Sequence, residues 1–153
     1  MKQKLITLFA FMLILTTMQS CTEDEYGSIK DSTTGSTESH NMGQNCMNCH
    51  KPGGDEAPVW KVAGTVYNEA RTVTNSNATV KLYTGPNATG TLKYTIQVDA
   101  KGNFYTTSAI DFTGGLYPSV TGATSTYSMS TPIESGACNS CHNGVIASRI
   151  WTN

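Results

Sequence analysis

Two pentapeptides constrain this chain more than anything else in it: Cys46-Met47-Asn48-Cys49-His50 and, near the opposite end, Cys138-Asn139-Ser140-Cys141-His142. Every cysteine other than Cys21, and every histidine other than His40, falls inside them. Any fold the chain adopts must carry two Cys-x-x-Cys-His units on the segments that flank its middle. In each unit two thiols stand three positions apart and an imidazole follows at once. That arrangement suits two covalent bonds to one edge of a macrocycle, with a nitrogen ligand placed under its metal.

The units therefore read as c-type haem attachment sites. Cys46, Cys49, Cys138 and Cys141 would form the thioethers, His50 and His142 would be the proximal iron ligands, and the expected cofactors are two haem c. Other uses of the cysteines fit less well. A zinc site built from both pairs would leave the two adjacent histidines as accidents. A thioredoxin-like pair wants a βαβ setting that the intervening sequence does not offer. Two disulfides, each closing a Cys-x-x-Cys loop, would be tight and strained.

A haem iron takes a sixth ligand or keeps an open face, and the chain offers few groups for the role. His40 lies in a polar stretch before Cys46 and is a candidate distal ligand. The spacing to Cys46 is short for arching over the same haem, so the haem at Cys138, or that of a neighbouring molecule, is equally open to it. Met129, in the loop-like run from Thr126 to Pro132, is the candidate for the remaining iron, with Met42 and Met47 behind it. A thioether is the usual alternative to imidazole and raises the reduction potential.

At the N-terminus Lys2 and Lys4 precede an apolar run over residues 5–15, shorter than the roughly 18 residues a membrane span wants. Residues 1–20 read as a signal peptide, which agrees with haem c being attached outside the cytoplasm. Cys21 follows Ser20, and this junction resembles the lipobox of bacterial lipoproteins, which implies cleavage before Cys21 and lipidation of its thiol. The Glu23-Asp24-Glu25 cluster is similar to a surface-export signal. It implies an outer-membrane lipoprotein displayed on the cell surface or else facing the periplasm. Residues 21–45 are rich in Ser, Thr, Gly and Asn and read as a flexible tether. From Cys21 onward eight Lys or Arg stand against eleven Asp or Glu, with no basic stripe, which argues against nucleic acid as a partner.

Between the motifs, over about residues 59–131, the pattern is strand and turn. Leu92, Tyr94, Ile96 and Val98 alternate with polar neighbours, as do Val80 and Leu82, while Trp60, Val62 and Val66 mark another strand. Gly85-Pro86-Asn87 and the run from Asp99 to Asn103 read as turns, with their glycines supplying positive φ. Several short strands argue for a mainly β fold, an antiparallel β-sandwich, within a single domain over residues 46–153. The phrases from Val62 to Tyr67, from Ala78 to Tyr83 and from Val98 to Tyr105 resemble the carboxypeptidase regulatory-like, transthyretin-like family of β-sandwiches. The resemblance implies a structural or binding module with no catalytic residues of its own.

Together these features predict a dihaem c-type cytochrome lipoprotein that carries electrons and is not an enzyme. Its expected partners are redox proteins or neighbouring cytochromes, a membrane reached through the lipid anchor, and copies of itself if it assembles. Two other functions stay open at this point. One is a surface module that grips a polysaccharide or protein with exposed aromatic rings, its haems being accessory. The other is a small haem peroxidase with one open iron.

Overall fold

The structure, a computed structural model, describes residues 29–153. The expected signal peptide, the Cys21 lipidation site and the acidic cluster after it lie outside the described residues. The strands are β1 (Val62–Tyr67), β2 (Thr79–Gly85), β3 (Thr89–Gln97), β4 (Asn103–Thr106), β5 (Tyr117–Thr121), β6 (Thr126–Ser128), β7 (Gly136–Ala137) and β8 (Ile150–Trp151). A 3₁₀ turn covers Cys46–Asn48, and a one-turn helix, α1, covers Cys138–Cys141.

The fold is mainly β and has two sheets, as the alternation predicts. One sheet runs β3-β2-β5-β6 and is antiparallel throughout. The other centres on β1, which pairs antiparallel with β4 and parallel with β7 and β8. A buried apolar cluster takes Val62, Val66 and Phe104 from the β1 sheet and Val80, Leu82, Ile96 and Val120 from the other. Each such side chain contributes roughly 1.5–3 kcal/mol when fully buried, so this cluster is what holds the sheets together.

Alternation is legible along β2, where Val80 and Leu82 are buried between half-buried neighbours. Along β3 it holds at Ile96 and weakens at Tyr94, and Leu92 faces solvent. The cause is a bulge. Leu82 pairs with Tyr94 but the next residue, Tyr83, pairs with Leu92, and a one-residue slip turns a side chain to the other face of a sheet. β1 departs from alternation altogether, because all six of its residues are buried. Trp60 lies just before this strand instead of inside it.

The turns follow the expected positions with a different division of labour. Gly102 takes φ +85° after Asp99, whose Oδ1 accepts from the amides of Lys101 and Asn103 at 2.9 Å each. In the β2–β3 hairpin, however, Asn87 (φ 54°) and Ala88 (φ 59°) carry the positive φ, not Gly85. Positive φ at consecutive turn residues is what the right-handed twist of a hairpin favours.

The stretch read as a tether through residue 45 is docked where the structure describes it. Ser32 is buried, its amide donates to Tyr105 O at 2.9 Å, and its Oγ accepts from the Tyr105 amide at 2.9 Å. Farther on, Ala100 N donates to Ser36 O (2.9 Å) and Lys101 Nζ to Ser39 O (2.6 Å). Low apolar content argues for disorder only when burial is the source of order. Here Ser32, Ser36 and Ser39 supply hydrogen bonds to an edge that would otherwise stand open.

Candidate functional site

Both Cys-x-x-Cys-His units fold into the same turn. His50 N donates to Cys46 O at 3.0 Å, and His142 N donates to Cys138 O at 3.0 Å. This i to i+4 closure puts the two thiols on one side of a single turn and the imidazole at its end. Both imidazoles are then fixed from behind. His50 Nδ1 lies 2.9 Å from Pro58 O, and His142 Nδ1 lies 2.7 Å from Ser148 O. A carbonyl only accepts, so each Nδ1 carries a proton, and in the neutral ring the lone pair is then on Nε2. That is the tautomer, and the outer-shell support, of a metal-ligating histidine.

The first unit borders a cavity of about 890 Å³ lined by His40, Cys46, Cys49, His50, Trp60 and Tyr105 among others. His40 faces His50 with ring centroids 5.8 Å apart and planes tilted by 35°. Two metal–nitrogen bonds of about 2 Å each would need ring centres roughly 6 Å apart, so His40 and His50 are spaced as two imidazoles that could share one metal ion would be. The short link between His40 and Cys46 still lets the two rings meet, because the chain turns back at Asn41 and Gly43, both with positive φ. Behind His50 stand Trp60 (centroids 5.0 Å) and then Tyr105 (4.4 Å from Trp60), which make an aromatic wall.

The second unit borders a more apolar cavity of about 460 Å³. Met129, Cys138, Cys141, His142, Ile150 and Trp151 are among the residues that line it. Met129 is held in place by its main chain, which donates to Pro118 O (2.8 Å) and accepts from Asn87 N (3.2 Å). Tyr127 stacks on Trp151 at 4.1 Å. Both volumes lie within the ~300–1,000 Å³ of sites that take cofactor-sized ligands. Each cavity thus brings one Cys-x-x-Cys-His unit together with one of the two candidate distal ligands.

A buried polar network seats both units on β1. Thr65 Oγ1 accepts from Gly43 N (2.9 Å) and Asn139 Nδ2 (3.0 Å) and donates to Asn103 Oδ1 (2.7 Å). Asn139 Oδ1 accepts from Thr65 N (3.1 Å), and Asn103 Nδ2 donates to Ser39 Oγ (2.9 Å) and His40 O (3.1 Å). Asn103 therefore positions the His40 backbone, and Asn139 positions α1. Sequence reasoning missed these three residues. Asn139 occupies a spacer position of its motif, Thr65 looks like an ordinary strand polar residue, and Asn103 looks like the end of a turn. The carbonyls of Pro58 and Ser148 carry no side-chain signal at all.

The four motif cysteines are free thiols, Cys46 and Cys138 half-buried and Cys49 and Cys141 exposed. Burial pushes the Cys138 thiol up to about 12 from its ordinary 9.0, with the nearby Cys46 charge adding to the effect. Burial also raises Cys46. The fold thus favours the neutral thiols. The contribution of these thiols to the stability of the haem-free chain is expected to be level below pH 9 and to fall as pH rises from 9 toward 12, which thermal melts at a series of alkaline pH values would show. A chain with Cys138 in a thioether has no such proton to lose and should show a smaller decline.

Among the described residues, no group of three or more His, Cys, Asp or Glu is placed to hold a metal ion. No helix among the described residues is long and apolar enough to cross a membrane. No family model, curated protein or solved structure matches the chain.

Proposed function

We propose that this chain is a dihaem c-type cytochrome lipoprotein that passes electrons outside the cytoplasm. The observation that carries the reading is the repeated construction: two Cys-x-x-Cys-His turns, each with its imidazole Nδ1 tied to a backbone carbonyl and its Nε2 free beside a cavity. Bound there, haem supplies reversible one-electron chemistry at a potential set by its axial ligands and burial. Cys46 and Cys49 hold one group and Cys138 and Cys141 the other. His50 and His142 are the proximal ligands, and His40 and Met129 are the distal ones. The lipid on Cys21 ties the protein to the outer membrane, where redox proteins are its partners.

The aromatic residues favour a carrier over a surface-binding module. Trp60 and Tyr105 line the cavity at His50, and Tyr127 and Trp151 line the one at His142, so these rings wall the two sites. Arg149, the one arginine beside a motif, lines the cavity at His142 but is held against the protein's own groups. Its guanidinium donates to Arg71 O at 2.9 Å and lies 4.7 Å over the Tyr67 ring.

The direct test is the intact mass and pyridine haemochrome absorbance of the protein exported from a host with cytochrome c maturation machinery. Two haems per chain are expected, and an unmodified mass would overturn the proposal. His40→Ala should leave both haems attached but convert one low-spin iron to a five-coordinate or water-bound state. About half of the Soret intensity should shift accordingly, and an unchanged spectrum would remove His40 from the ligand set.

A further inference from the structure

The two attachment turns touch each other, although they come from opposite ends of the sequence. Gln44 O accepts from Asn139 Nδ2 at 2.9 Å and from the Cys46 thiol at 3.7 Å. Asn139 is the residue after Cys138, so a single carbonyl oxygen links the first cysteine of one motif to the chain beside the first cysteine of the other. Thr65 makes a second link, since Gly43 and Asn139 both donate to its hydroxyl. Asn139, Thr65 and Asn103 are all buried, and hydrogen-bonded groups of this kind are costly to separate. The arrangement is therefore a fixed junction.

The two cavities also share a wall, because Phe104 lines both. Its ring sits against Gly64, where a Cβ would lie 2.5 Å from Cζ of Phe104 and 3.0 Å from Cβ of Cys138. The inner thiols, Cys46 and Cys138, thus flank this junction, while the outer thiols, Cys49 and Cys141, open to solvent.

We infer that the two haems form one intramolecular pair, attached through Cys46 and Cys138 on either side of the Gln44–Asn139–Thr65 junction. The inference rests on the dihaem reading and adds to it that the relay is complete within one molecule and needs no stacking of copies. Each crossing oxidises one site by one electron and reduces the other by one. The electron enters from a one-electron donor protein and leaves to a one-electron acceptor, and no bond is made or broken.

Soret circular dichroism of the haem-loaded, full mature chain tests this pairing, because two strong transition dipoles held close together couple and give a band with paired lobes of opposite sign. The expected result is a two-signed band whose shape and amplitude per haem do not change across a dilution series. It should collapse to a single sign in Cys141→Ala, which loses one haem. A single-signed band from a chain shown by haemochrome to carry two haems would overturn the pairing and leave the dihaem reading intact. A two-signed band that fades on dilution would also overturn it, by showing that the close contact is between molecules. Fewer than two haems per chain in the unaltered protein would instead overturn the dihaem reading, and the pairing with it.

Discussion

Cys49→Ala and Cys141→Ala are each expected to lose most of the covalently bound haem from the altered motif while the other motif stays fully loaded. Both thiols are exposed, so truncation opens no cavity in the core and the fold should survive. The turn itself is closed by backbone atoms, His50 N to Cys46 O and His142 N to Cys138 O, and does not depend on the outer thiol. The junction between the motifs runs through Asn139, Gln44 and Thr65, so damage to one outer cysteine has no direct route to the other site. Intact mass after denaturation should give one haem per chain in each variant, against two in the unaltered protein. Two haems in both variants would remove these cysteines from the attachment chemistry. Complete loss from either variant would mean that the two sites load as a unit.

The separability expected here was only partly legible in the sequence. The motifs are visible in the sequence because their grouping is local: two thiols and an imidazole within five positions stay together wherever they fold. The placement of the candidate distal ligands, His40 and Met129, depends on where distant segments meet, which no local spacing records. Counting residues between His40 and Cys46 suggests that the segment is too short to serve its own haem. The positive φ at Asn41 and Gly43 shortens the path and brings the His40 ring 5.8 Å from His50. Met129 lies in a loop-like run of sequence, and it lines the cavity at His142 because main-chain bonds to Pro118 and Asn87 hold it there.

The fold shows the same division between local and long-range information. Period-two alternation marks β2, and it marks β3 as far as Tyr94, because those strands have one face on the core and one toward water. It fails at Leu92, where a bulge resets the register, and it fails along β1. There the second face is covered by segments that pack from both ends of the chain: α1 with Asn139 on Thr65, and the stretch around Gly43. A strand covered on both faces has no polar side to alternate with. The described part of the tether escapes a hydrophobicity-based reading for a related reason. It is ordered by hydrogen bonds such as Ser32 N to Tyr105 O rather than by apolar burial.

Gly64 carries the second large expected effect, since it is where the core, β1 and the second attachment turn come closest. A Cβ at this position would stand 2.5 Å from Cζ and 2.8 Å from Cε1 of Phe104, and 3.0 Å from Cβ of Cys138. Phe104 is only 1% exposed, so its ring cannot swing away without displacing the cluster that joins the sheets. Overpacking of this kind costs about 1–3 kcal/mol, which for a domain of this size lowers the melting temperature on the order of 5–10 °C. Gly64→Ala is expected to show that loss in thermal melts of the haem-free chain. It should also reduce haem loading at Cys138 more than at Cys46, because only the Cys138 turn is pushed outward. Thr91→Ala, at an exposed β3 position, should stay within about 0.5 kcal/mol of the unaltered protein. Trimming the obstacle separates this mechanism from a general intolerance of the strand. If the Phe104 ring is what the new methyl meets, Phe104→Leu should cost less in the Gly64→Ala background than alone, a coupling that a double-mutant cycle reads directly. Strictly additive losses would instead place the strain at Cys138, and the loading defect at that motif would then persist in the double variant.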